Sequence, residues 1–189
     1  MRFLILVPLL VLASCATQKG LDPSRLPAQF EIELEKEIHA DFNHDNIEDS
    51  VKILPAPRDS NYHILEISLS NKTNFEKFEN HQLVYAAAIP GASLEAMDNG
   101  SFKILIDHSG GGRSASLREY TVSYRHDKFV LSGVTVSDYD RVDPELGGSC
   151  DINLLTGEGE RNSKAIKVKI EKKDFVHADY EWLPRECKF

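Results

Sequence analysis

The stretch that best indicates the fold is residues 120–136, which read YTVSYRHDKFVLSGVTV. Residues 120–124 alternate large apolar side chains with Thr and Ser, the period-two pattern of a strand with one buried face. Residues 126–128 then supply a polar turn, and residues 129–136 are again apolar and β-branched. This stretch therefore predicts a β-hairpin.

An Asn-Gly pair indicates a second hairpin. Asn99 and Gly100 lie between two apolar segments, residues 94–97 and 102–106. The pair favours a type I′ turn, in which both central residues have positive φ. Further strands are predicted at residues 30–38, 51–53, 65–69, 83–89, 152–154 and 166–170. For residues 30–38 a helix is the alternative.

These segments define the fold class. About eight or nine short strands, with no amphipathic stretch capped at both ends, predict an all-β fold in which a minor helix is possible. We expect a single-domain antiparallel β-sandwich or strongly curved sheet, with a small barrel-like fold as an alternative. The 189 residues contain no internal repeat, which excludes a full propeller. The net charge of −8 argues against nucleic-acid binding, because phosphate recognition needs clustered Lys and Arg.

The N-terminus predicts a targeting signal at residues 1–14. Arg2 provides a positive charge, and residues 3–12 are an apolar run of ten that is too short to span a bilayer. The run ends in Leu-Ala-Ser-Cys at residues 12–15, which resembles the lipobox of bacterial lipoproteins. The resemblance implies cleavage before Cys15, diacylglycerol on its thiol and acylation of the new amine. An ordinary signal peptide is the alternative.

The same resemblance predicts location and domain boundaries. Two or three acyl chains anchor a soluble domain stably, and Ala16 rather than Asp after the cysteine favours the outer membrane in lipoprotein sorting. Residues 15–29 contain Gly and Pro with little periodicity and predict a tether. The β-rich domain is then residues 30–189. Loss of Arg2 with the signal changes the net charge from −8 to −9.

The predicted lipid site determines which cysteines remain to form a disulfide. The chain has three cysteines, and assigning Cys15 to the lipid leaves Cys150 and Cys187 in an oxidising compartment. We therefore predict a disulfide between Cys150 and Cys187. Two free thiols are the alternative.

Residues 41–49, which read DFNHDNIED, predict a cation site. Calcium binds six to eight oxygen ligands, and a tight loop that turns every second side chain inward can provide them. Asn46 stands where such loops often have Gly, and Asn tolerates the left-handed backbone. The predicted ligands are the side chains of Asp41, Asn43, Asp45 and Asp49 and the main-chain carbonyl of Ile47. We expect a structural Ca²⁺; an acidic turn without an ion is the alternative.

The flanking sequence excludes an EF-hand, because position 12 of the loop is Lys52 rather than Glu and the flanks are predicted strands. The loop instead resembles the Asp-x-Asn-x-Asp-x-x-x-Asp loops of integrin-like FG-GAP and related secreted β proteins. In those proteins the loop joins two strands and an apolar residue follows, here Val51. Residues 102–106, 129–133 and 151–157 are similar to uncharacterised secreted bacterial proteins and lipoproteins, a resemblance that implies no activity.

Residues 107–114 read DHSGGGRS and are the second unusual stretch. Neither a P-loop nor Gly-x-Ser-x-Gly is present, and sequence neighbours on a strand face opposite ways, so catalysis by Asp107, His108 and a nearby serine is not favoured. We expect a flexible loop that can contact a partner. Its predicted contact residues are Ser109, Gly110, Gly111, Gly112 and Arg113.

Together these features predict a non-enzymatic, calcium-stabilised lipoprotein domain. We expect it to bind a protein or glycan of the envelope, in the periplasm or at the cell surface. One alternative is an inhibitor of a cationic wall hydrolase such as lysozyme, which the negative charge would attract. Another is an envelope-polymer hydrolase that uses carboxylates such as Asp138 and Asp140.

Overall fold

The strands form where apolar side chains recur at every second position. The computed structural model describes residues 36–71, 74–88, 91–109, 111–169 and 173–189. Within them, alternate residues are buried along β2 and β6, as expected for strands with one face on a core. The described strands are β1 (Glu37–Ala40), β2 (Asp49–Leu54), β3 (Tyr62–Ser70), β4 (Phe75–Tyr85), β5 (Gly91–Ala96), β6 (Phe102–Asp107), β7 (Ser114–Tyr124), β8 (Phe129–Asp140), β9 (Gly148–Asn153), β10 (Glu158–Arg161) and β11 (Lys164–Lys167).

The strands form two antiparallel sheets. The first has four strands in the order β1-β2-β3-β4, and the second has seven in the order β11-β10-β9-β8-β7-β6-β5. Within each sheet the described strands pair in sequence order, so each sheet is a meander, and the chain passes from one sheet to the other between β4 and β5. The helices of the described residues are three short 3₁₀ segments, Pro144–Leu146, Phe175–His177 and Arg185–Cys187. The prediction of an all-β antiparallel fold is confirmed.

The two sheets share one apolar core, as in a β-sandwich. Phe42 meets Phe102 edge to face with ring centroids 5.4 Å apart, and Phe78 meets Phe129 in the same way at 5.2 Å. These pairs join residues of the four-stranded part to residues of the seven-stranded sheet. All described residues belong to one compact unit, Glu33–Phe189.

The predicted strand at residues 83–89 is placed differently. The strand β4 ends at Tyr85 and a turn follows, whereas its polar first part, which the sequence pattern did not indicate, is already extended. This strand is one of the two edges of the four-stranded sheet, and edge strands often carry charged residues that discourage pairing with other chains. The apolar run marks only the end of β4, where Leu83 and Val84 are both buried.

The hairpin at Asn99-Gly100 is confirmed, but its turn is not type I′. The amide of Gly100 donates to the Met97 carbonyl at 3.1 Å, and the Met97 amide donates to the Ser101 carbonyl at 2.9 Å. Gly100 has φ 72°, whereas Asn99 has no positive φ. The pair therefore occupies the end of a three-residue loop with a bulge. Positive φ at both central residues is found instead in the β7–β8 turn, at His126 (52°) and Asp127 (60°).

The two ends of the domain also differ in detail from the prediction. In the C-terminal region β11 ends at Lys167, before Val168, and β10 was not predicted because its sequence is mostly polar. At the N-terminal end β1 covers Glu37–Ala40, and the rest of the predicted strand at residues 30–38 lies largely outside the described residues.

The last segment of the chain packs against the four-stranded sheet. Asn80 is 1% exposed, and its side-chain amide donates to the carbonyls of Phe175 (2.6 Å) and Ala178 (2.7 Å). The amide of Tyr180 donates to the Gln82 carbonyl at 2.8 Å. These bonds fix the C-terminal segment beside β4.

Candidate functional site

The predicted cation loop connects β1 and β2. Both His44 and Asn46 have φ 64°, the left-handed conformation expected for Asn46. Two such residues separated by one position turn the chain tightly enough to place the oxygens of the loop near one another.

The oxygen-bearing side chains of the loop turn inward onto its own amides. The Asp41 carboxylate accepts hydrogen bonds from the amides of Asp45 (3.1 Å) and Asn46 (2.8 Å). The Asn43 Oδ1 also accepts from the Asp45 amide at 3.0 Å, and the Asp45 Oδ1 accepts from the Ile47 amide at 2.8 Å. The Asn43 Nδ2 donates to the Asp45 Oδ2 at 3.2 Å. Three of the predicted ligands are therefore gathered in one turn.

Asp49 attaches the loop to the rest of the sheet. Its side chain is 1% exposed, its Oδ2 accepts from the Phe42 amide at 2.9 Å, and its Oδ1 accepts from the Ser70 amide at 2.8 Å. Burial raises the pKa of the Asp49 carboxyl, and the two amide hydrogen bonds oppose that rise. The bond to Ser70 links the start of β2 to the end of β3.

A second loop, from the β5–β6 hairpin, packs against the cation loop. Gly100 has φ 72°, and a Cβ there would lie 3.1 Å from the Asp41 carbonyl oxygen and 2.4 Å from the Cε1 of His44, so glycine suits this close approach. A pocket of about 370 Å³ lies between the loops, and Asp41, His44 and Asp98 are among its lining residues. Sequence reasoning missed Asp98, because the turn that contains it is far from the cation loop in the sequence.

The described residues show no cluster of acidic, histidine or cysteine side chains around a metal position. Among residues 36–71, 74–88, 91–109, 111–169 and 173–189, no three His, Cys, Asp or Glu side chains are grouped so that they could hold a metal ion. The hydrogen bonds above show where the loop oxygens are directed instead: most of them accept from main-chain amides.

The Gly-rich loop is attached to the end of β8. The Arg141 guanidinium donates to the carbonyls of Gly112 (2.6 Å) and Ser109, and the Arg141 amide donates to the Arg113 carbonyl at 2.9 Å. The Arg113 Nε donates to the Asp140 carboxylate at 2.5 Å. Gly110 lies outside the described residues, and Gly111 and Gly112 are exposed.

The two carboxylates considered for a hydrolase have different surroundings. Asp140 accepts from the amides of Asp143 and Val142 and pairs with Arg113, which together hold its pKa below the usual range. Asp138 instead faces a pocket beside β7. The two carboxylates therefore do not form an evident catalytic pair.

The predicted disulfide between Cys150 and Cys187 is confirmed. Their Cα atoms are 5.3 Å apart, both residues are buried, and the bond joins β9 to the last 3₁₀ segment across a separation of 37 residues. A groove of about 580 Å³ lies next to this segment. Its lining residues include Leu154, Trp182 and Arg185.

The predicted lipid site at Cys15, the signal at residues 1–14 and the tether at residues 15–29 lie outside the described residues. In the part of the chain that the structure describes, no helix has the length and apolar character needed to cross a membrane. Comparisons of the chain with protein-family models, with curated proteins and with solved structures gave no match.

Proposed function

We propose that the chain is a calcium-stabilised binding domain of the bacterial envelope, attached to the outer membrane by lipid on Cys15 and without enzymatic activity. The observation that supports this proposal most strongly is the geometry of the cation loop. The loop is a tight turn between two strands, and it gathers the side-chain oxygens of Asp41, Asn43 and Asp45. Oxygen ligands in a flexible loop suit Ca²⁺, which accepts irregular coordination.

The residues of the loop fit a hard cation. The side chains of Asp41, Asn43 and Asp45 would hold the ion together with the carbonyl of Ile47. Asp49 is the last predicted ligand, and each of its oxygens keeps a second lone pair beyond the amide bond that it accepts. Bound calcium would supply positive charge that offsets the repulsion between these carboxylates and links β1 to β2.

Calcium is expected to stabilise the protein against heat. At a free calcium concentration 100 times the dissociation constant, the melting temperature should rise by about 5–10 °C relative to protein in EDTA. Differential scanning calorimetry on the purified full-length protein measures this shift. Asp45→Asn should remove most of it, because one charged ligand is lost while the side-chain shape is kept.

Glu48→Gln is the matched control for that experiment. It makes the same charge change in the same loop, but the Glu48 side chain is 76% exposed and is not a predicted ligand. Calcium should therefore stabilise the Glu48→Gln variant as much as the wild type. An equal calcium shift in Asp45→Asn and wild type would show that this loop does not bind the ion.

Lipid attachment is tested at Cys15. When the full chain is expressed in a Gram-negative bacterium grown with an alkyne-labelled palmitate, the wild-type protein should take up the label and Cys15→Ser should take up none. Ser14→Ala, which keeps a small residue before the cysteine, should be labelled like the wild type. Equal labelling of Cys15→Ser and wild type would contradict the lipoprotein assignment.

A further inference from the structure

The inner face of the seven-stranded sheet changes from apolar to polar at one end. Along the middle of β6, β7 and β8 the residues that face the core are apolar or aromatic, namely Ile104, Ile106, Tyr120, Val122, Val134 and Val136. Continuing each strand in steps of two gives four polar residues on the same face: His108, Ser116, Arg118 and Asp138. Polar residues at positions where the period predicts core residues are costly, and they usually mark functional sites.

The strand register brings these four residues together. The amide of His108 donates to the Ser116 carbonyl at 2.8 Å, and Ser116 is directly opposite Asp138 in the β7–β8 pairing. Residues opposite one another in an antiparallel sheet have Cβ atoms about 4.5–5.5 Å apart. His108, Ser116 and Asp138 therefore form one row across three strands, and Arg118 is the next residue on that face of β7.

Each of the four side chains has a buried polar atom without a partner. These atoms are the Nε2 of His108, the Oγ of Ser116, the Nε of Arg118 and the Oδ1 of Asp138. They are the complete set of such side-chain atoms found in the described residues, and all four residues line one pocket of about 390 Å³. Buried polar groups are nearly always hydrogen-bonded in folded proteins. These four atoms are covered by protein in the structure, so a ligand in the pocket would supply their missing partners after small rotations of the four side chains.

Two tyrosines pack against the polar residues of the pocket, and one of them, Tyr180, also lines it. The Arg118 guanidinium lies 4.1 Å from the ring centroid of Tyr180, and its Nη1 donates to the Tyr180 carbonyl at 2.5 Å. The ring of Tyr85 stacks on His108 with centroids 5.8 Å apart and planes 15° apart. These contacts restrict the side chains of Arg118 and His108 before any ligand binds, which lowers the entropic cost of binding.

The mixture of groups selects the class of ligand. Arg118 offers a charged donor and Asp138 a charged acceptor. A cationic ligand would therefore meet the like charge of Arg118, and an anionic ligand that of Asp138. Ser116 can donate or accept, and so can a neutral His108, whose pKa is lowered by burial and by the nearby Arg118. Neighbouring hydroxyl groups on a neutral ligand, each of which both donates and accepts, satisfy all four side chains. We propose that this pocket binds a neutral carbohydrate unit.

The order of the residues in the row favours binding over hydrolysis. A Ser-His-Asp relay needs the histidine between the other two residues, so that the carboxylate orients the ring that receives the serine proton. Here Ser116 lies between His108 and Asp138. The proposal names the partner of the binding domain proposed above and rests on that function, but it does not depend on calcium.

Saturation-transfer NMR and calorimetric titration of the full-length protein test the proposal. The probes are glucose, galactose, mannose, N-acetylglucosamine and its β-1,4-linked trimer, each measured in EDTA and in calcium. We expect at least one neutral sugar to bind under both conditions. Asp138→Asn and Ser116→Ala should each weaken that binding at least tenfold. Asp151→Asn, the same change at an exposed position of β9, should leave it unchanged.

Several results would overturn the proposal. The first is that no neutral sugar binds to the wild type. The second is that Asp138→Asn and Ser116→Ala both bind the sugar as the wild type does. The third is that glucose 6-phosphate or an acetylated tripeptide amide binds more tightly than every neutral sugar. Ser116→Ala removes a single hydroxyl, so it keeps the test decisive if Asp138→Asn fails to fold. Failure of sugar binding with an intact calcium shift would reject the pocket alone. Sugar binding without a calcium shift would reject the metal loop alone.

Discussion

Replacing Phe42 with alanine should lower the free energy of unfolding by about 3–5 kcal/mol, the range for truncation of a fully buried aromatic side chain. Phe42 is 0% exposed although it lies within the cation loop, and its ring packs on Phe102 of the opposite sheet. The loop therefore contributes a core residue between two of its oxygen-bearing residues. Loss of the ring should also weaken calcium binding, because it releases the loop from the core.

Urea denaturation followed by circular dichroism measures this effect. Phe75→Ala is the matched control, since the same atoms are removed from a side chain that is 79% exposed. Its free energy of unfolding should change by no more than about 0.5 kcal/mol. If Phe42→Ala cost as little as Phe75→Ala, the packing of the loop against the core would be wrong.

Removing the disulfide should have the next largest effect. The double variant Cys150→Ser with Cys187→Ser releases a crosslink across 37 residues, which should lower the free energy of unfolding by roughly 3–4 kcal/mol. For a domain of this size the melting temperature should fall by on the order of 10 °C. Both residues are buried, so part of the loss comes from polar hydroxyls in an apolar site.

The wild type in reductant provides the comparison for that variant. Its melting temperature should fall by a similar amount, whereas reductant should not change the double variant. Trp182 is the only tryptophan of the chain and lines the groove beside the crosslinked segment, so its fluorescence reports whether that segment loosens before the sheets unfold. Full retention of the melting temperature in a reduced wild type would contradict this role of the bond.

Local patterns in the sequence predicted much of the fold. Apolar patterns and turn residues identified β2, β3, β6, β7 and β8, because such signals lie close together in the sequence. The number of cysteines identified the disulfide. The type of the turn at Asn99 was missed, since the same dipeptide fits two hairpin loops that differ by one residue. The polar part of β4 was missed because edge strands need not alternate.

The candidate sites separate into local and long-range parts. The tight turn of residues 41–49 and the left-handed Asn46 were predictable, because all of the residues involved lie within nine positions. The anchoring of Asp49 by Ser70 was not, since it depends on the β2–β3 register. The polar pocket was also invisible in the sequence: His108 and Asp138 look like solvent-facing residues until the register places them beside the core.

Calorimetric titration of Ca²⁺ into the EDTA-stripped, full-length protein tests the central claim most directly. The account predicts saturable binding at one site per chain, lost or strongly weakened in Asp45→Asn and preserved in Glu48→Gln. Absence of saturable binding to the wild type at millimolar calcium, or equal binding in wild type and Asp45→Asn, would contradict it.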